Sequence, residues 1–230
     1  MAGRVDRSLR AIVFGAAILS ALAAAVWLAS WQHAKGPVNE RPKPLATIAG
    51  FTTYSVPSAK FTIALPAAWQ VFTAGEALRG AYGIDEVKRE QPELASYLDA
   101  LDDPRSPVKL VAGDATPSEG FTVTANVLAQ TVSPGYSLAD LTRETENEIR
   151  NMPADVSDLR RDFVNLPAGH AQRIRYRVRL NLNGALPGAV TQYGLVANGR
   201  VYLITYATLP ELEGDHRDDF ERSASSLSLG

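Results

Sequence analysis

Cysteine is absent from all 230 residues, and histidine occurs three times, at His33, His170 and His216. The first absence excludes disulfides, thiolate zinc sites, a cysteine nucleophile and an acylated cysteine anchor. The second leaves almost nothing from which to build an imidazole metal centre. Positive charge is also in short supply, with 23 basic against 25 acidic residues and a net charge of −2. Setting aside Arg4, Arg7, Arg10 and Asp6 leaves 20 basic and 24 acidic residues. That balance argues against nucleic acid as a partner, since its phosphates select for a strong basic excess. There is no phosphate-cradling glycine loop, nucleophile elbow, zinc-type spacing or dinucleotide fingerprint. No catalytic chemistry is evident, and no cofactor or metal is implied.

What is present first is a hydrophobic run. Ala11 to Trp31 is 21 consecutive uncharged, mostly apolar residues preceded by three arginines. At about 1.5 Å per residue such a helix spans roughly the 30 Å hydrocarbon core of a bilayer. It exceeds the usual ~7–15-residue core of a signal peptide, and Trp27 and Trp31 stand near its far end, where indoles favour the headgroups. The expectation is one N-terminal transmembrane helix over 11–31, behind a basic cytoplasmic tail over 1–10. The body would then lie outside the cytoplasm, although flanking charges at Lys35, Arg41 and Lys43 give orientation only a lean. The competing outcome is secretion after signal cleavage. Arginine outnumbers lysine by 18 to 5 and alanine is abundant, which points to a GC-rich bacterial genome.

Residues 32–50 contain Pro37, Pro42 and Pro44 with few large apolar groups and read as a stiff, extended linker. Residues 51–230 suffice for one globular domain with a substantial core. Within it, Phe51–Val56 and Lys60–Leu65 alternate as short strands. Ile84–Leu101 has helical composition, with Leu94, Leu98 and Leu101 on one face. Val108–Ala112 and Phe121–Gln130 return to strand character. Ser137–Met152 is the clearest amphipathic helix, with Ser137 as N-cap and Leu141, Thr145, Ile149 and Met152 in one stripe. Val156–Asn165 and His170–Asn181 are strands. Ala189–Ala197, Asn198-Gly199 and Arg200–Thr208 form a hairpin, because Asn-Gly supplies the two positive φ angles of a type I′ turn. Val201–Tyr206 is apolar on both faces and should lie centrally. A final helix starts near Pro210, with Glu211 and Glu213 in its first turn. Strands and helices in this order, without regular βαβ alternation, define an α+β class with an antiparallel sheet flanked by helices.

The progression from "LPAAW" at Leu65–Trp69, through Tyr136-Ser137-Leu138 and Leu166-Pro167-Ala168-Gly169-His170-Ala171, to Asn198-Gly199-Arg200 and a terminal helix carrying Phe220 and Leu227 resembles the PsbP-like superfamily. That group includes the photosystem II extrinsic subunit, the Ran-binding Mog protein of yeast and the LpqN/LpqT lipoproteins of actinobacteria. The resemblance covers roughly Tyr54–Leu229 and implies an antiparallel sheet flanked by helices. The lipoprotein relatives are held by a lipidated cysteine, so here the 11–31 helix would have to replace that anchor. Members bind very different partners, and no catalytic or ligand residue carries over.

The most suggestive constellation is Arg173, Arg175, Arg177 and Arg179. With period two they share one strand face, about 7 Å apart, while Ile174, Tyr176, Val178 and Leu180 face the core. Guanidinium groups at that spacing repel unless anions neutralise them. Asp158 and Asp162 on the neighbouring strand could do so; otherwise the face would dock an acidic protein, glycan or lipid headgroup. Other candidates are weaker. Asp215, His216 and Asp219 offer one imidazole with two carboxylates, better read as a solvated helix start than as a metal site. His170 has no evident nucleophile or orienting carboxylate. Tyr176, Tyr193, Tyr202 and Tyr206 could line a sugar pocket but more often serve as core. The sequence thus favours a membrane-anchored extracytoplasmic binding or scaffolding module, not an enzyme. The alternatives are a cell-envelope hydrolase with a nonlocal site, which requires a deep pocket, and a lipid carrier, which requires an apolar cavity.

Overall fold

The computed structural model describes residues 38–76, 89, 99, 103–114, 123–152, 154–181 and 185–230. The expected transmembrane helix over 11–31 and helix over Ile84–Leu101 lie outside the described residues, as does Phe121. Among the described residues no helix is long and apolar enough to cross a membrane.

Two antiparallel sheets carry the body. The smaller joins β1 (Lys43–Ile48), β2 (Phe51–Val56), β3 (Phe61–Pro66) and the short C-terminal β11 (Ser228–Leu229) in the order β1-β2-β3-β11. The larger contains β4 (Trp69–Phe72), β5 (Val108–Asp114), β6 (Thr124–Thr131), β7 (Asp155–Leu166), β8 (Gly169–Asn181), β9 (Ala185–Ala197) and β10 (Arg200–Thr208). Its order is β4-β5-β6-β10-β9-β8-β7. The β9–β10 hairpin turns at Asn198 and Gly199, both at positive φ (52° and 68°), as a type I′ turn requires.

β10 is central, between β6 and β9, and every residue from Val201 to Thr208 is buried. Tyr202, Ile204 and Tyr206 point to one side, where Phe61, Ile63 and Leu65 of the small sheet close the main core. Val201 and Leu203 point to the other, against Leu128 and Leu141. Each such side chain withdrawn from water contributes about 1.5–3 kcal/mol, so a strand apolar on both faces is stable only with a cover on each.

The two covers are helices. α1 (Leu138–Arg150) starts in a capping box: Ser137 accepts from the Asp140 N–H at 3.2 Å, and Asp140 accepts from the Ser137 N–H at 3.0 Å. Its buried stripe is Leu141, Thr142, Thr145 and Ile149. Below it Gln172 donates to the Thr145 hydroxyl at 3.2 Å. A Cβ at Gly194 would lie 2.8 Å from the Gln172 amide nitrogen, so a side chain there would push Gln172 off its place. α2 (Glu213–Ser225), which follows a short 3-10 turn over Pro210–Leu212, covers the opposite face. Its Phe220 stacks on Tyr206 at 4.6 Å, and the Tyr206 hydroxyl donates to Ser223 at 2.8 Å. Ser226 then accepts from the Ala64 N–H, tying the helix end to β3.

The stretch expected to be linker over 32–50 differs from that expectation in its second half. Lys43–Ile48 is β1, paired with β2 despite Pro44. Proline is tolerated there because β1 is an edge strand with one row of unpaired N–H groups. Just upstream, the Asn39 N–H donates to Pro104 at 2.6 Å, and its side chain donates to the carbonyls of Ser106 and Val108. The side-chain oxygen of Asn39 accepts from Lys109 Nζ at 2.6 Å. Lys109 is almost fully buried, and burial above all lowers its pKa from 10.5 to about 8.

A lysine whose folded pKa lies below its unfolded value leaves the native state with fewer bound protons between those two values. Stability should therefore rise as pH increases from about 8 toward 10.5. Chemical denaturation across that range should show the rise, and Lys109→Met should flatten it; an unaltered slope in the variant would exclude Lys109 as its source.

Candidate functional site

Strand β8 sets its arginines by pleat alone. Ile174, Tyr176 and Val178 are buried beneath the α1 side of the sheet, so Arg173, Arg175, Arg177 and Arg179 all project from the α2 side. The β7 register assigns each a cross-strand neighbour on that side: Asp162 opposite Arg173, Arg160 opposite Arg175, Ser157 opposite Arg177 and Asp155 opposite Arg179. A bulge between Ser157 and Arg160, with Asp158 at φ 53°, is what brings Arg160 into this set.

α2 lies across the same face, and its residues at 213, 217 and 221 recur every four positions, a rise of about 6 Å. That matches the roughly 7 Å between alternate strand residues. Arg173 donates from Nε to Asp162 at 3.0 Å and from Nη1 to Glu221 at 3.1 Å. Arg177 donates to Glu213 at 2.7 Å. Arg175, between them, has only a 3.8 Å approach to Asp162, and its buried Nε finds no acceptor. Arg173, Arg175, Thr191, Tyr193, Glu213, Arg217, Phe220 and Glu221 line one cleft between the sheet and α2. This cleft is partly open, with a cavity volume of about 10 Å³, room for a single water-sized group. A whole metabolite does not fit inside it.

Hydrogen bonds from Arg173 hold the Asp162 carboxyl below the usual carboxylate range, against an opposing effect of burial. The same bonds raise the Arg173 pKa, so each partner favours the charged form of the other. Burial pushes the Tyr193 hydroxyl up, opposed by the Arg173 guanidinium nearby.

Asp162 pairs with Arg173 and approaches Arg175, whereas Asp158 makes no ion pair among the described residues. Pairing was expected from the neighbouring strand, but two of the acids, Glu213 and Glu221, come from α2. The i, i+4 spacing of 213, 217 and 221 was visible in the sequence; only the tertiary fold shows that it faces β8. Arg160 was hidden by the bulge, which shifts the alternation of β7 by one residue.

The remaining candidates separate. Tyr176 is buried on the α1 side, while Tyr193, Tyr202 and Tyr206 are buried on the other, so the four do not share a pocket. Tyr202 and Tyr206 are core. His170 bonds Asn165 at 2.9 Å and stacks on Phe163 at 5.5 Å, at the outer edge of the sheet. His216 stacks on Phe220, and no group of three or more potential metal ligands occurs among the described residues. The side chain of Leu180 lies outside the described residues.

The architecture defines a class: an antiparallel, sheet-rich α+β body with helices on its faces, the PsbP-like fold. Neither a protein-family model nor a curated protein sequence matches the chain. Among solved structures it is similar to cyanobacterial PsbP (CyanoP) from Synechocystis sp. PCC 6803, with a TM-score of 0.52 and 15% identity over 80% of this chain and 95% of that one. It is also similar to LpqN of Mycobacterium tuberculosis, a protein involved in cell envelope biogenesis (TM-score 0.44, 12% identity, 82% and 90% covered). The Ran-binding protein Mog1p of Saccharomyces cerevisiae gives a TM-score of 0.45 at 8% identity, with 84% and 96% covered. At 15% identity the likeness to cyanobacterial PsbP establishes the fold and no more.

A carboxylate with a depressed pKa contributes stability that is present above about pH 4 and lost as pH falls through its folded value. Asp162→Asn should therefore lower stability at pH 7 by about 1 kcal/mol or less, since the acid is half-exposed. It should also flatten the acid limb of a stability–pH curve. An unchanged acid limb would show that the Asp162–Arg173 pair is energetically idle.

Proposed function

We propose that this protein is a single-pass membrane protein whose extracytoplasmic PsbP-like domain binds or scaffolds an anionic partner through the arginine face of β8. Residues 1–10 form the cytoplasmic tail, 11–31 the anchor, and the segment after Trp31 the connection to the body. The observation that carries the binding role is Arg175, a guanidinium whose nearest acid is 3.8 Å away and whose Nε lacks an acceptor. A buried donor left unsatisfied costs about 1–3 kcal/mol, a cost that an incoming acceptor would remove.

The anchor reading rests on the length and composition of the 11–31 run. Since the folded body begins by Asn39, only about six residues separate Trp31 from Val38. Fully extended, they reach about 20 Å. The domain would therefore stay near the bilayer surface, and its partner would be presented there. A non-catalytic role fits a cleft that closes around no more than one small group.

Two measurements test this. After alkaline carbonate washing of native membranes, the full-length chain should remain in the membrane fraction, and protease added outside intact cells should digest the body. Release by carbonate, or protection of the body, would overturn the anchor or its orientation. Separately, Arg175→Glu combined with Arg179→Glu should reduce crosslinked partner in native membranes at least tenfold. Undiminished crosslinking would remove the arginine face from the function. Arg177 is a poorer choice, because its reversal would set two carboxylates against each other at Glu213.

A further inference from the structure

The match between α2 and β8 is complete except at its centre. Along the helix the order is Glu213, Arg217, Glu221; along the strand it is Arg177, Arg175, Arg173. The outer positions pair acid with base, Glu213 with Arg177 at 2.7 Å and Glu221 with Arg173 at 3.1 Å. At the central position both elements carry arginine, and Arg217 and Arg175 line the same cleft. The cross-strand neighbour of Arg175 is Arg160, a third cation on the same face. The other neighbour in this row is Thr191, whose side chain also lines the cleft. The nearby acids are engaged elsewhere: Glu213 by Arg177, Glu221 by Arg173, and Asp162 by Arg173 with only a 3.8 Å contact to Arg175.

Like charges brought together on a folded surface destabilise it unless a counter-ion sits between them. Glutamate at position 217 would have completed the ladder of ion pairs. We infer that the α2–β8 cleft is a binding site for a phosphate group, held by Arg175 and Arg217 with Arg160 at its rim and the Thr191 hydroxyl as a further donor. Cations arriving from three elements suit a tetrahedral anion, which offers oxygens in several directions; a planar carboxylate is satisfied by one bidentate arginine. The cavity volume of about 10 Å³ admits one oxygen and leaves the rest of the group in the open part of the cleft. The phosphate is therefore carried on something larger than the cleft, or bound from solution with most of its surface wet. This inference deepens the binding-module reading and rests on it for the identity of the carrier, though not for the anion.

The test uses the full-length chain in nanodiscs, with its N-terminal segment in place. Thermal unfolding is followed while inorganic phosphate replaces chloride at constant ionic strength. Wild-type protein should be stabilised by phosphate, and Arg175→Gln and Arg160→Gln should weaken apparent affinity about tenfold or more. Arg217→Glu is the decisive variant: it should raise the melting temperature without phosphate and abolish the phosphate response, so loss of binding cannot be ascribed to misfolding. Nanodiscs of phosphatidylcholine alone and nanodiscs containing phosphatidylglycerol separate the sources. If the anionic lipid produces the stabilisation without added phosphate, the carrier is a headgroup; if both discs respond only to added phosphate, it is not the membrane. No phosphate-specific shift in either disc overturns the site. A shift retained by Arg175→Gln and Arg217→Glu also overturns it and indicates an adventitious ion only. Should the Arg175→Glu/Arg179→Glu protein keep its crosslinked partner while the phosphate response is lost, the anion site stands and the arginine-face partner reading falls.

Discussion

A strand that is apolar on both sides cannot sit at a surface, and β10 imposes that condition on the whole molecule. Tyr202, Ile204 and Tyr206 must be covered from one direction, Val201 and Leu203 from the other. With β6 and β9 completing its backbone pairing, the requirement passes outward to the layers. The small sheet and α2 close one side, and α1 closes the other. The stacking of Phe220 on Tyr206, with the Ser223 hydrogen bond behind it, fixes where α2 lies. Once that helix is placed by its apolar face, the position of its polar face is no longer free.

The arginine face follows from that placement. α2 is held by its buried Phe220 and Ala224, so Glu213, Arg217 and Glu221 are carried to β8 whether or not their charges match. Two of the three match. These outer pairs are partly exposed and contribute little each, about 0–1 kcal/mol, so the helix does not depend on them. That weakness matters for function: two arginines on facing elements of one cleft are tolerated because core packing, not electrostatics, holds the helix down. A fold stabilised elsewhere can carry an unfavourable charge arrangement where a ligand would relieve it.

The legibility of the chain was uneven for identifiable reasons. The 198–199 hairpin, the central β10 and the 137–152 helix were readable because each rests on a local rule: positive φ at Asn-Gly, two-sided hydrophobicity, or an N-cap followed by a 3.6-residue stripe. Strand β1 was not, since Pro42 and Pro44 resemble a tether until β2 is present to pair with residues 43–48. The arginines of β8 were placed on one face correctly by period two. Their partners were misassigned in part, because Glu213 and Glu221 lie 36 and 48 residues away and meet them only through the packing of α2. Arg160 was obscured by a bulge, which no alternation rule anticipates.

Sequence alone settled the alternation of apolar and polar groups along each strand, the capped start of α1, and the long uncharged run at 11–31, because these depend on neighbours within one or two turns of chain. Tertiary structure decided which acid meets which arginine and which arginine is left with only a 3.8 Å approach. That outcome depends on where α2 packs over the sheet, and it is held there by Phe220 on Tyr206, aromatic side chains that belong to neither charged row.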